Sequence, residues 1–369
     1  MPFYFIFILL ILVIVFFGGH WFVWHTLVNF FSINNQALRH WLLIVILFLG
    51  LAFVLSMWLI RLSSNSITHW FYTIATVWVG LFINLFIASL IIWLSQGIIK
   101  LTGSHFNLLP LALLLFIAAL AWSIYSIANA FNPQIKEVDV TLNNLPPAWS
   151  GKTIVQLSDL HLGAINKTRF LKDIVTRTNN LSPDLIVITG DLFDGIDGDE
   201  NIFVPLLNQL QASEGVFFVT GNHDYYLGKD EVLKVLGQTK IQVLQDQMQV
   251  INGLQIVGLD YGNFNGRSDL AAVLTKIHFS KDQASILLYH APIGLDVVKD
   301  SGINLQLSGH THRGQIFPLN LLTKFIYHGY DYGLFHEGNF WLYVSSGVGT
   351  WGPPMRSGSN SEIVKIKLQ

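Results

Sequence analysis

The distribution of apolar residues divides the chain into two regions. Up to residue 131 the apolar positions form four long runs, approximately Phe3–Trp24, Leu38–Ile60, Trp70–Leu94 and Leu108–Phe131. Each run is long enough to cross a bilayer as a helix, which needs roughly 20 residues. Tryptophans cluster near the ends of the runs, as side chains do at a membrane–water interface. The pattern predicts an N-terminal α-helical domain, residues 1–131, with four transmembrane spans.

Beyond residue 131 the apolar runs become short. Apolar and polar residues alternate over 138–142, as in a half-exposed strand, and we assign residues 132–150 to a linker and first strand. Later runs such as 184–191 are continuously apolar, which is typical of strands buried on both faces. They alternate with amphipathic helical segments. This alternation predicts an α/β domain over residues 151–369.

Charge changes at the same boundary. Residues 1–130 contain three of the 21 basic side chains, Arg39, Arg61 and Lys100, and none of the 23 acidic ones. The chain has no cysteine, which excludes disulfides, thiolate metal ligands and thiol catalysis. A net charge of −2 without a long basic run argues against nucleic acid as a partner.

Five strand-like runs end in side chains that bind divalent metals. Ligands gather at the carboxyl ends of strands in α/β sheets, and carboxylate, amide and imidazole groups suit such cations. Asp191 ends the central run and is the candidate to bridge two metals, because one shared anion lets two cations approach each other. The seven candidate metal ligands are Asp159, His161, Asp191, Asn222, His290, His310 and His312.

The order of these motifs resembles that of the calcineurin-like metallophosphoesterases. The resemblance covers roughly residues 150–369 and rests on Asp159-Leu160-His161, Gly190-Asp191, Gly221-Asn222-His223-Asp224, Tyr289-His290 and Gly309-His310-Thr311-His312. The tail Tyr343–Thr350, with Pro354 and Arg356, is similar to the bacterial membrane-associated branch, which includes enzymes acting on UDP-2,3-diacylglucosamine. The four N-terminal spans lie outside the resemblance.

The resemblance implies a sandwich of two mixed sheets flanked by helices, with a binuclear metal centre. The implied ligand sets on either side of a bridging Asp191 are Asp159, His161 and His312 for the first metal, and Asn222, His290 and His310 for the second. Mixed nitrogen and oxygen ligands accept Mn, Fe or Zn, so the residues leave the two divalent ions unidentified. A hydroxide held between the cations would attack phosphorus near neutral pH.

Four further residues have expected roles. By resemblance, His223 is the catalytic group that binds the phosphate and protonates the leaving oxygen, and Asp224 orients its ring. Arg313 stands where many relatives have glycine. Its guanidinium could bind a substrate phosphate or pair with a local acid at the surface, and both interpretations stay open. Arg356 is a second candidate for substrate binding.

The segment 317–327 is unusually apolar for a loop beside a polar site. It could dip into the membrane interface and receive an acyl chain, or it could pack as core under the sheet. The interfacial interpretation would bring the site close to membrane lipids.

Together these patterns predict an integral, multi-pass membrane phosphohydrolase, a metal-dependent phosphoesterase. The expected substrate is phosphorylated and lipid-linked, such as UDP-2,3-diacylglucosamine, with cleavage at a phosphoester or pyrophosphate bond; simple phosphodiesters come next. The alternative is a catalytically silent membrane scaffold or sensor that binds metal, and the intact Asp191 and His223 argue against it. Basic residues flanking the spans favour a cytoplasmic catalytic domain.

Overall fold

The computed structural model describes residues 3–196, 199–263 and 267–369. The chain divides into two compact units, Met1–Ala128 with Gly352–Met355, and Asn129–Trp351 with Arg356–Gln369.

The described part of the first unit is built from four long helices, the last of which ends two residues beyond Ala128: α1 (Phe3–Phe30), α2 (Gln36–Leu62), α3 (Ser66–Leu101) and α4 (Leu109–Ala130). All four are long and apolar enough to cross a membrane, as the sequence predicts. Helix α3 starts earlier than the apolar run does, because Asn65 and Thr68 form a capping box at its first turn. Its 36 residues make it the longest helix of the described chain.

In the described residues of the second unit, twelve strands form two six-stranded sheets. The first sheet has the order β1-β12-β2-β3-β4-β5. Its strands are β1 (Gln134–Val140), β2 (Thr153–Leu157), β3 (Leu185–Thr189), β4 (Val216–Val219), β5 (Gln242–Val243) and β12 (Glu362–Leu368). Strands β2 to β5 are parallel and β12 runs antiparallel to β2, so the sheet is mixed.

The second sheet has the order β10-β11-β9-β8-β7-β6. Its strands are β6 (Gln247–Ile251), β7 (Leu254–Gly258), β8 (Ser285–Leu288), β9 (Leu305–Ser308), β10 (Gly333–Glu337) and β11 (Phe340–Val344). Strands β7, β8, β9 and β11 are parallel, and the edge strands β6 and β10 are antiparallel to their neighbours.

The two sheets pack face to face. One buried cluster joins side chains of both sheets, among them Ile154 and Val187 of the first and Ile286 and Leu307 of the second. The outer faces are covered by α5 (Thr168–Asn180), α6 (Val204–Leu207), α7 (Asn222–Leu227), α8 (Lys229–Leu236), α9 (Arg267–Lys276) and α10 (Leu295–Ser301). The predicted sandwich of two mixed sheets flanked by helices is confirmed.

One sequence expectation fails in this unit. The segment 317–327 forms α11 (Leu319–Ile326), and none of its residues is buried. The interpretation of this segment as core under the sheet is therefore wrong.

Candidate metal centre

The predicted ligands converge because they follow adjacent parallel strands. Strands β2, β3 and β4 are neighbours in one sheet, and β8 and β9 are neighbours in the other. The structure forms two groups whose ligand atoms all lie within 4.8 Å of one another: Asp159, His161 and His312, and Asp191, His290 and His310. The first group has the three residues predicted for the first metal; the second has His290 and His310 of the other predicted set together with Asp191, and Asn222 is not a member of either group.

The first group surrounds Asp159, which is completely buried. Asp159 Oδ1 lies 3.3 Å from Nε2 of His312, and Nε2 of His161 lies 3.0 Å from Nε2 of His312. Ring nitrogens this close, beside a carboxylate, form a compact set of nitrogen and oxygen ligands.

The second group surrounds Nε2 of His290. This atom lies 3.2 Å from Asp191 Oδ2, 3.2 Å from Asn222 Oδ1 and 3.2 Å from Nδ1 of His310. The same Asp191 oxygen lies 3.7 Å from Nε2 of His161 in the first group. Asp191 is therefore the carboxylate that faces both groups, as its predicted bridging position requires.

The backbone of the centre is held in conformations that most residues avoid. Five predicted ligands have φ in the left-handed region: Asp159 (53°), His161 (45°), Asp191 (51°), His310 (71°) and His312 (49°). Such conformations cost free energy and cluster at functional sites. Gly190 has φ of 90°, and a Cβ there would lie 2.5 Å from Nδ1 of His290. Only glycine permits that close approach.

The two buried carboxylates of the centre depend on the imidazoles around them. Burial alone would raise the pKa of Asp159, but His312 holds that pKa far below its usual range. Burial would likewise raise the pKa of Asp191, and His290 lowers it. In turn, burial would lower the pKa of His290, but Asp191 raises it to about 9. The centre thus requires positive charge beside its carboxylates, and divalent cations supply such charge.

Three other imidazoles of the centre favour their neutral form, in which a ring nitrogen is free to bind a metal. His161 differs from them: burial would lower its pKa, but Asp194 and Asp191 raise it. Burial lowers the pKa of His312 to about 4, and burial together with His290 lowers the pKa of His310 to about 4. Burial and the nearby His161 also lower the pKa of His223.

Among the buried side-chain atoms of the described chain that lack a hydrogen-bond partner, two belong to neighbouring groups of this centre. They are Nδ1 of His161 and Oδ1 of Asp194, which lie 3.5 Å apart. Unpartnered buried polar atoms are costly and are typical of ligand sites. Both atoms belong to a third group of possible metal ligands, His161, Asp194 and His223. This donor set fits a divalent cation.

Sequence reasoning missed Asp194. It follows Asp191 by three residues in the same loop, where it is buried, and this spacing was the available signal. Its backbone carbonyl lies 2.7 Å from Nδ1 of His223, and its carboxylate Oδ1 lies 3.9 Å from that nitrogen. Asp194 therefore fixes the ring of His223.

The prediction that Asp224 orients the ring of His223 is wrong. Its carboxylate accepts hydrogen bonds from the backbone N–H groups of Gly221 (2.8 Å), Asp191 (3.0 Å) and Phe193 (3.3 Å). Asp224 therefore ties together the two loops that carry Asp191 and His223, and the His223 ring is oriented by Asp194. Burial and the nearby Asp191 raise the pKa of Asp224 to about 7.

The substrate role predicted for Arg356 is also wrong. Its side chain is fully buried and donates to the carbonyl of Gly349 (2.6 Å) and to Ser359 Oγ (2.8 Å). Its Nη2 lies 3.2 Å from Nδ1 of His312. Arg356 thus supports a metal-ligand candidate from behind and has no surface for a substrate.

Arg313 is exposed, and its guanidinium lies 4.5 Å from the centre of the Tyr332 ring. This is a cation–π contact. The structure thus keeps Arg313 at the surface beside His312.

Comparisons with known proteins identify the family. The family model described as calcineurin-like phosphoesterase matches residues 152–314. An uncharacterised metallophosphoesterase of Campylobacter jejuni is 40% identical over 253 residues, which cover 66% of each chain. A transmembrane protein with a metallophosphoesterase domain from Danio rerio is 30% identical over 359 residues, covering 90% of this chain and 81% of the relative. A protein of the same description from Bos taurus is 33% identical over 296 residues, which cover 73% of this chain and 66% of the relative.

The chain belongs to the calcineurin-like phosphoesterase family, which confirms the family predicted from its motifs. The aligned part spans just under two thirds of the length of the Campylobacter jejuni protein. The Danio rerio match covers so much of this chain that it includes much of the N-terminal helical region. Together with the four apolar helices, it indicates membrane association.

Proposed function

We propose that this protein is a multi-pass membrane phosphohydrolase whose metal centre cleaves a phosphoester or pyrophosphate bond. The observation that carries the proposal is Asp191, whose Oδ2 lies 3.7 Å from one group of ligand atoms and 3.2 Å from the other. A carboxylate in that position suits two cations better than one, because it offers an anion to both.

The predicted ligands would bind two cations in two sets that share one carboxylate. Asp159, His161 and His312 would hold one cation, Asn222, His290 and His310 the other, and Asp191 would contact both. The cations, when bound, supply an activated water and neutralise charge on the phosphoryl oxygens.

His223 is the proposed acid for the leaving oxygen. Burial and the nearby His161 lower its pKa, and the negative charge of a bound phosphate would raise that pKa, so that the ring takes a proton from solvent at Nε2 before the reaction and donates it to the leaving oxygen. Asp194, through its backbone carbonyl, holds Nδ1 and leaves Nε2 to face the substrate. Arg313 lies on the exposed side of the same centre and suits a second phosphate or a substrate carboxylate.

The substrate is proposed to be lipid-linked, with UDP-2,3-diacylglucosamine as the leading example. The support is the run of four apolar helices and the relatives described as transmembrane proteins. The catalytic domain is proposed to face the cytoplasm, on the basis of the few basic residues near the spans.

The first test measures hydrolysis of bis-p-nitrophenyl phosphate by the purified full-length protein with Mn²⁺, Fe²⁺ or Zn²⁺. We expect turnover that requires added metal and is absent from the Asp191→Asn variant. Stoichiometric metal binding without turnover of this diester, p-nitrophenyl phosphate or an extracted lipid fraction would instead support the scaffold or sensor alternative.

The second test identifies the substrate. Membrane lipid extracts are fractionated, incubated with the metal-loaded protein and followed by mass spectrometry for a product that has lost a phosphoryl or nucleotidyl group. Asp191→Asn is the matched control. Turnover restricted to water-soluble phosphodiesters would contradict a lipid-linked substrate while leaving the hydrolase assignment intact.

A further inference from the structure

Helix α11 has its polar side turned toward the protein. Asn320, Thr323 and Tyr327 are half-buried, and their spacing places them on one face of the helix. Thr323 Oγ1 donates to Asp331 Oδ2 over 3.5 Å, which fixes that face against the domain. The opposite, apolar face is exposed and consists of Leu319, Leu321, Leu322, Phe325 and Ile326.

This arrangement is the reverse of an ordinary surface helix, whose apolar stripe faces the core. Phe325 is 79% exposed and Leu321 is 61% exposed. Phe317, two residues before the start of the helix, is exposed as well. A contiguous apolar surface of this kind marks a place where the protein meets an apolar partner.

Helix α11 lies next to the metal centre. The Tyr327 ring, at the end of α11, lies 6.2 Å from the ring of His310. Gln315, between His312 and α11, exchanges two hydrogen bonds with the backbone of Trp351, each of 2.9 Å. Trp351 is 53% exposed, and its ring lies 6.0 Å from that of His223. An occupant of this surface would therefore reach the phosphate-binding side of the centre.

Charge and connectivity point to a lipid bilayer as the occupant. Lys324 and Arg313 are exposed beside the apolar face, where they suit anionic headgroups. Trp351 is of the type that sits at membrane interfaces. Helix α4 ends at Ala130 and β1 begins at Gln134, so the catalytic domain follows an apolar, membrane-length helix after three residues.

We propose that the apolar face of α11, with Phe317 and Trp351, inserts into the headgroup region of the bilayer and presents lipid phosphates to the metal centre. The insertion rests on the membrane anchoring of the proposed function and requires no catalysis. It extends that function by making the substrate a phosphate at the bilayer surface.

The natural absence of cysteine permits a direct test. Phe325→Cys and, separately, Leu321→Cys are labelled with bimane in the full-length protein and reconstituted into phosphatidylcholine–phosphatidylglycerol nanodiscs. The matched control is Val250→Cys on the far edge strand β6, where the native side chain is 53% exposed. Part of the phosphatidylcholine carries a nitroxide, which quenches nearby bimane, and aqueous iodide is used in parallel.

We expect nitroxide lipids to quench bimane at positions 325 and 321 severalfold more than at position 250, and iodide to show the opposite order. Iodide quenching at 325 equal to that at 250 would overturn the proposal, because the surface would then face water. Shielding of 325 from both quenchers would also overturn it and would indicate a protein partner, such as a second copy.

Turnover of bis-p-nitrophenyl phosphate by the same labelled proteins is recorded separately. Quenching without turnover would leave the bilayer contact standing and contradict the hydrolase assignment alone. Turnover without lipid quenching would support the hydrolase assignment and contradict the bilayer contact. A metal content equal to that of the unmodified protein confirms that each labelled variant is folded.

Discussion

Buried polar residues occur both in the helical unit and in the metal centre, and the two regions treat them differently. In the helical unit several of them form pairs between two helices, although Oε1 of Gln96 has no partner among the described residues. Trp78 Nε1 donates to His20 Nε2 (3.1 Å), and Trp93 Nε1 donates to Thr26 Oγ1 (2.9 Å). Asn84 Nδ2 donates to Ser123 Oγ over 2.8 Å. These pairs connect regular helices, as interhelical hydrogen bonds do in membranes.

The metal centre instead gathers carboxylates and imidazoles on left-handed backbone and leaves buried atoms of His161 and Asp194 without partners. Paired polar groups satisfy each other and serve packing. A strained, incompletely satisfied cluster is stable only because a ligand or the surrounding fold compensates for it. The paired polar residues connect helices, whereas the residues of the centre are candidate metal ligands. Substitutions in the two regions should therefore have different effects on metal content and activity.

The largest expected effect is that of Asp191→Asn. The amide removes the anion that faces both ligand groups, so metal occupancy and activity should fall together. Loss of several kcal/mol of transition-state stabilisation would lower kcat/KM by about 1,000-fold or more. Metal analysis and hydrolysis of bis-p-nitrophenyl phosphate check this, and normal occupancy in the variant would contradict the shared role of Asp191.

His223→Ala should separate catalysis from metal binding. The residue is assigned to the leaving oxygen, so its loss should lower kcat by about 100- to 10,000-fold while both metals remain. Leaving groups of low pKa need no proton, so p-nitrophenyl substrates should be affected less than alkyl phosphates. Metal loss equal to that in Asp191→Asn would make His223 a ligand instead of an acid.

Asp194→Ala tests the residue that the sequence did not reveal. The backbone carbonyl that contacts His223 remains in this variant, whereas the carboxylate beside Nδ1 of His161 disappears. Removing such a supporting group should lower metal affinity or activity by about 10- to 100-fold. Metal titration gives the affinity, and Asp194→Asn is the conservative variant. Full activity in Asp194→Ala would show that the unpartnered carboxylate has no role.

These cases also show what the sequence could predict. The seven ligand positions follow from strand ends, because parallel neighbours bring their carboxyl ends together whatever the details of packing. The left-handed backbone at Asp159 and Asp191 determines where the side chains of their two loops point. The alternation of side chains along a strand does not predict these directions. The role predicted for Asp224 rests on the resemblance of its motif, and the structure instead places Asp194 beside the ring of His223.

Burial explains the other errors. Arg356 lies in a tail whose fold depends on contacts between distant segments, so its complete burial behind His312 could not be predicted from local pattern. The core interpretation of α11 failed because an apolar segment is compatible with either a core or a lipid surface. Only the inward direction of Asn320 and Thr323 distinguishes the two.

Arg356→Met should mainly reduce stability. The substitution keeps much of the buried volume and removes the donors to Gly349 and Ser359. Leaving buried acceptors unpaired should lower the free energy of unfolding by about 3 kcal/mol. Thermal unfolding in detergent measures this, with Arg356→Lys as the variant that keeps the charge. A loss of substrate affinity with unchanged stability would restore the role predicted from the sequence.

The smallest effect is expected from the Asn84–Ser123 pair in the helical unit. Asn84→Ala, Ser123→Ala and the double variant form a cycle whose coupling energy should be about 0.6 kcal/mol, the value typical of hydrogen bonds between membrane helices. Metal content and turnover should remain those of the unmodified protein, because this pair is satisfied internally and carries no charge. A change in turnover that exceeds the stability effect would mean that the helices do more than anchor the enzyme. The contrast between paired and ligand-ready polar groups would then fail for the membrane region.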